Sequence, residues 1–126
     1  LHGDKKTWKC VQCLSGEIMQ FVVDLRKESP TFQAFEIFYI NDRNRHQILI
    51  PPRCANGHIA LSEKVIFHYK QSEYYGGQNS QFSYNFLEFV KEYGIRLPIN
   101  PKNAILSERD TIYSQTMKEV LEWLEK

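Results

Sequence analysis

Five side chains are the candidates for moving protons, and they are widely spaced: His2, Lys9, Tyr69, Tyr75 and Asp110. An imidazole, an ammonium, two phenols and a carboxylate can serve as bases, acids and charge stabilisers once a fold gathers them around one hollow. The chemistry would then be proton transfer by the side chains themselves. A barrel metal site asks for two histidines one residue apart, pointing inward together, with a carboxylate and a third histidine. The four histidines are His2, His46, His58 and His68, and no two stand at that spacing. No nucleotide-binding glycine loop is present either, so neither a metal nor another cofactor is expected. Each candidate also has a plain structural reading. A single histidine commonly packs in a core, Lys9 fits a solvated strand, and tyrosines fit cross-strand ladders. Asp110, last in Ser107-Glu108-Arg109-Asp110, fits a capping box at the start of a helix.

To gather such residues the chain needs a frame, and the frame it predicts is β. From Trp8 to Tyr75 aromatic and β-branched residues dominate, broken at short intervals by Gly, Pro, Asn and Asp. Strands are expected over Trp8 to Leu14, Glu17 to Leu25, Phe32 to Ile40, Gln47 to Ile50, His58 to Leu61, Val65 to Gln71 and Gln81 to Phe86. Turns are expected at Ser15-Gly16, Glu28-Ser29-Pro30, Asn41 to Asn44, Pro51-Pro52 and Asn56-Gly57. A short helix is expected over Phe86 to Tyr93. Ile112, Met117, Val120, Leu121 and Leu124 recur at helical spacing, predicting an amphipathic helix over Thr111 to Lys126 that packs on the barrel or on a dimer mate.

A chain of 126 residues with 42% hydrophobic content supports one core, hence one domain over residues 1–126. Sixteen basic against fifteen acidic residues leave a net charge of +1, which speaks against nucleic acid as a partner. No apolar run approaches the roughly 20 residues of a membrane span, so no membrane association and a cytoplasmic setting are expected. The three cysteines, Cys10, Cys13 and Cys54, suit a reducing compartment. Cys10 and Cys13, three apart on a strand, point to opposite faces and read as packed thiols.

Seven stretches together resemble the dTDP-4-dehydrorhamnose 3,5-epimerase family and its capsule-sugar relatives. They are Leu1-His2-Gly3; Trp8 to Val11 with Gly16-Glu17; Val22 to Arg26 with Ser29 to Phe32; Gln47 to Pro51; Leu61-Ser62-Glu63; Tyr69 to Tyr75; and Leu106 to Asp110. Their ordered succession carries the likeness. It implies an all-β double-stranded β-helix, a cupin or jelly-roll barrel with a C-terminal amphipathic helix, acting as a homodimer on a nucleotide-linked 4-keto sugar without a cofactor. The pathway implied is capsule or lipopolysaccharide sugar synthesis. By the resemblance His2 is the base, Asp110 the carboxylate that holds it, and Lys9 the cation at the developing enolate oxygen. Tyr75 is the acid on the opposite face, and Tyr69 a pocket tyrosine. Inverting a carbon beside a ketone needs such a base and acid held across a cavity, which a small barrel provides.

The chain also departs from the family pattern. The family's arginine before Gly-Leu-His falls ahead of Leu1, so the domain is read as lacking N-terminal strands. Asn56 stands where the family has a second histidine, Gln20 where the rhamnose enzymes have Asp, and Arg96-Leu97-Pro98 where they have Asp-Trp-Pro. These changes leave acid and base in place and imply a changed substrate, dTDP- or GDP-linked, deoxyhexose or heptose, with Asn56 and Gln20 contacting it. Two alternatives stay open: a sugar-nucleotide 3,4-ketoisomerase, which would move the ketone, and a barrel that binds sugar without catalysis.

Overall fold

The computed structural model describes residues 1–126. Two antiparallel sheets lie face to face. The larger runs β4 (Phe35–Asn41), β3 (Glu17–Asp24), β6 (Cys54–Ala60), β1 (His2–Gly3) and β8 (Phe82–Ser83); the smaller runs β5 (Gln47–Ile50), β2 (Lys9–Ser15) and β7 (Ile66–Gln71). This is the all-β, cupin-type barrel anticipated above.

Alternation along β3 explains why that strand is apolar almost throughout. Ile18 and Val22 point between the sheets, where they join Val11, Cys13, Ile40, Ile48 and Ile50. Met19, Phe21 and Val23 point the other way, into a second and larger core. That outer core is roofed by two helices, α1 (Phe86–Glu92) and α2 (Met117–Glu125), through Phe86, Phe89, Val90, Met117, Val120 and Leu124. The Phe21 and Phe89 rings meet edge-on with centroids 5.5 Å apart, a favoured aromatic geometry. The terminal helix therefore packs on its own barrel.

Several boundaries differ from expectation, among them the strand expected over Gln81 to Phe86, which is only Phe82–Ser83, and three differ for a plain local reason. The strand expected from Phe32 begins at Phe35, because Asp24 gathers Arg26, Ser29 and Thr31 into a hydrogen-bonded loop, which Gln33 ends with a positive φ of 65°. Asn56-Gly57 is no turn but the middle of β6. A Cβ on Gly57 would lie 2.5 Å from the Leu1 side chain, so glycine admits Leu1 to the sheet face instead of bending the chain. The last helix starts at Met117, capped by Thr116 and Glu119 in a reciprocal capping box, while Ile112 lies outside it and exposed.

Candidate functional site

The site is organised by β1, a strand of two residues wedged between β6 and β8, with His2 opposite Asn56 on one side and Ser83 on the other. A Cβ on Gly3 would collide with the Cys54 carbonyl and the Phe82 ring, so the residue after His2 must be glycine for β1 to lie there. Asn56 secures the strand by donating from Nδ2 to the His2 carbonyl at 3.1 Å.

Strand β8 delivers the carboxylate. Ser83 donates from Oγ to the Arg109 carbonyl and exchanges backbone and side-chain hydrogen bonds with Gln115, tying the 107–115 segment to the strand beside His2. Within that segment Glu108–Asp110 forms one 3₁₀ turn, and Ser107 Oγ donates to Asp110 Oδ2 at 2.8 Å. Asp110 Oδ1 thereby comes to 2.6 Å from His2 Nε2, off the line of a ring N–H, a close contact that becomes an ion pair once the imidazole is protonated. The carboxylate caps no helix; that role belongs to Thr116.

From the opposite sheet, β2 contributes Lys9 and β7 contributes Tyr69 and Gln71. Beyond the strand ends, Ser72 N–H donates to the Trp8 carbonyl and Trp8 N–H to Ser72 Oγ, both at 3.0 Å, so β2 and β7 stay paired as the chain turns toward Tyr75. The result is a hollow of about 260 Å³ bordered by His2, Lys9, Asn56, Tyr69 and Tyr75 together. A second hollow, about 450 Å³ and mostly apolar, lies on the other side of a wall made by His2, Asn56, Gly57 and His58.

Of the residues read from the sequence, two do not line this hollow: Asp110, which borders the apolar one, and Gln20, which borders neither. Gln20 is completely buried, its Nε2 touches Asn56 Oδ1 at a long 3.5 Å, and its Oε1 has no partner. Inward alternation on β3 places it beneath Asn56 instead of beside a ligand, so Asn56 faces the cavity and Gln20 backs it. The structure adds His58, Gln71, Gln81 and Arg109 to the lining. Arg109 directs its guanidinium to Gln81 Oε1. Its signal was adjacency to Asp110; that of His58 was its place two residues beyond Asn56, on the same strand face.

Burial sets the electrostatics. Desolvation lowers the pKa of His2, against the Asp110 contact that raises it. The His2 pairing in turn holds the Asp110 carboxyl well below the ordinary carboxylate range. Burial likewise lowers the pKa of Lys9; Asp4 opposes that shift and Arg109 adds to it. The arrangement is thus a neutral imidazole beside a fixed carboxylate, facing an amine and a phenol across one space. Such a set can take a proton from carbon, stabilise an oxyanion and return a proton.

The family model described as dTDP-4-dehydrorhamnose 3,5-epimerase matches residues 1–118. The chain belongs to that family. It is similar to dTDP-4-dehydrorhamnose 3,5-epimerases from Salmonella typhimurium, 40% identical over 74 residues (59% of this chain, 40% of the relative), and Shigella flexneri, 32% identical over 102 residues (81% and 54%). In structure it resembles the Elizabethkingia anophelis epimerase, with a TM-score of 0.83 and 31% identity over 94% of this chain and 65% of that one. It also resembles the Legionella pneumophila epimerase solved with dTDP-4-keto-L-rhamnose, with a TM-score of 0.80 and 30% identity over 94% and 61%. The epimerase-family chain spans about half the length of the curated relatives it matches. No helix is long and apolar enough to cross a membrane.

Proposed function

We propose that the chain inverts carbon 3, carbon 5 or both of a nucleotide-linked 4-keto sugar, without a cofactor, by proton abstraction, enolate stabilisation and reprotonation. The observation that carries this reading is the shared hollow of His2, Lys9 and Tyr75, with Asp110 2.6 Å from the His2 ring. Burial keeps the imidazole neutral, the form a base needs, and the carboxylate waits to stabilise the imidazolium. With Nε2 against Asp110, the other ring nitrogen takes the proton alpha to the ketone. The Lys9 ammonium meets the enolate oxygen, where a fixed cation in a partly dehydrated site lowers the barrier. Tyr75 returns a proton from the opposite face, and Tyr69 and Asn56 hold the sugar between.

The substrate class is supported by the ligand of the Legionella relative and by family membership, while the altered positions Asn56 and Gln20 leave both dTDP- and GDP-linked sugars within the proposal. A cytoplasmic homodimer serving capsule or lipopolysaccharide synthesis completes it, in keeping with three unpaired thiols. Incubation with a 4-keto sugar nucleotide in deuterated water is the test. Deuterium at carbon 3 or carbon 5 with the ketone still at carbon 4 is the expected result. A migrated ketone, read by NMR, would mean a ketoisomerase, and absence of label would remove the epimerase reading.

A further inference from the structure

His58 takes no part in the chemistry above, yet it is the side chain best placed to read the substrate. It follows Asn56 by two on β6, opposite Gln20 of β3, so it shares the face of the sheet that carries His2. Its ring lies flat on Phe67 of the facing sheet, centroids 4.0 Å apart at 26°, and Phe67 in turn neighbours Tyr69 at 5.8 Å. The stack fixes the imidazole plane, and the residue lines both hollows. The His58 ring nitrogens make no hydrogen bond within the protein, in contrast to His68, whose Nδ1 meets Gln12 Nε2. The residue is exposed, but surrounding atoms still lower its pKa through desolvation, with no charged partner contributing.

We infer that His58 is a specificity-determining residue that grips a hydroxyl group of the sugar. A neutral imidazole offers one donor and one acceptor, which matches a hydroxyl, also a donor and an acceptor, better than a phosphate, which only accepts. When a ligand displaces water from the hollow, these two nitrogens need partners. A sugar lacking the hydroxyl leaves them dehydrated and unpaired, a defect that costs roughly ten- to a hundredfold in selectivity. This inference rests on the proposed sugar-nucleotide substrate and names what part of it is read.

The test compares nucleoside-diphosphate 4-keto sugars with and without the hydroxyl at carbon 2 and at carbon 6, on the full chain and on His58→Phe and His58→Gln. Phenylalanine keeps the stack on Phe67 and removes both nitrogens; glutamine restores a donor and an acceptor. The unaltered protein is expected to prefer the hydroxylated sugar at one of the two carbons by about tenfold or more in kcat/KM. His58→Phe is expected to erase that preference, with the loss falling on KM more than on kcat, and His58→Gln to recover part of it. The inference is overturned if His58→Phe discriminates as the unaltered protein does, or if no preference exists at either carbon. Should no sugar take up deuterium, the reaction reading fails separately, and the same comparison made on dissociation constants by calorimetry decides the role of His58. Thermal melting identifies a variant that has lost its fold, in which case the glutamine variant carries the comparison.

Discussion

Replacing Asp110 by Asn removes a full negative charge 2.6 Å from the His2 ring while keeping the side chain's shape. At that separation a unit charge pair is worth about 6 kcal/mol at an effective dielectric of ~20 and about 1.6 kcal/mol in bulk water. The His2 and Asp110 side chains are 28% and 23% exposed, between those limits. An intermediate value of about 3 kcal/mol of lost imidazolium stabilisation corresponds to a kcat lower by roughly a hundredfold. The His2 pKa moves further down in the variant, because desolvation is left unopposed by the carboxylate that now raises it. The assay is the rate of deuterium incorporation against pH, with the binding of the nucleoside diphosphate measured in parallel. A variant that keeps kcat within about threefold, with an unmoved acidic limb of its pH profile, would refute the view that Asp110 supports the base.

Other outcomes follow from the same geometry. His2→Ala and Tyr75→Phe are each expected to lower turnover by about a hundredfold or more while leaving calorimetric affinity for the nucleotide within a few-fold. Lys9→Met should lower kcat by roughly 10²- to 10³-fold with little change in KM, since its ammonium acts on charge that develops only in the transition state. Asp24→Asn should cost about 3 kcal/mol in urea unfolding, because it leaves Arg26, Ser29 and Thr31 without the carboxylate they share. Asp24, held by hydrogen bonds from Arg26, Ser29 and Thr31, has a folded pKa far below the unfolded one, against an opposing desolvation. Its contribution to stability is therefore complete above the unfolded value of about 3.9 and is lost as pH falls toward the folded value. Urea midpoints at pH 7 and near pH 3 check it; the variant should differ from the unaltered chain less at the lower pH.

Much of the frame was legible because strand signals are local. Gln47–Ile50 stands as read, Glu17–Asp24 and Ile66–Gln71 differ from expectation by a residue at one end, and Lys9–Ser15 by a residue at each end. Asn56-Gly57 misled because its usual meaning as a turn depends on the two residues being free to bend, whereas here Leu1, distant in sequence, occupies the space beside Gly57. The Ser107 to Asp110 stretch carried two readings, cap and catalytic carboxylate. Only the pairing of β8 with β1 chose between them, by bringing the 3₁₀ turn to His2.

By itself the sequence determined the class of fold, the family and the chemical types at the site, since period, turn residues and ordered motifs are written along the chain. Tertiary structure alone decided which of those residues share a space. It put Asn56 in the hollow with Gln20 behind it, and it brought Arg109 and His58 into the lining. The reason is physical: a side chain's direction follows from strand alternation and is readable locally, but what it faces depends on which strand lies opposite. That pairing is set by burial summed over both cores, not by any one stretch of residues.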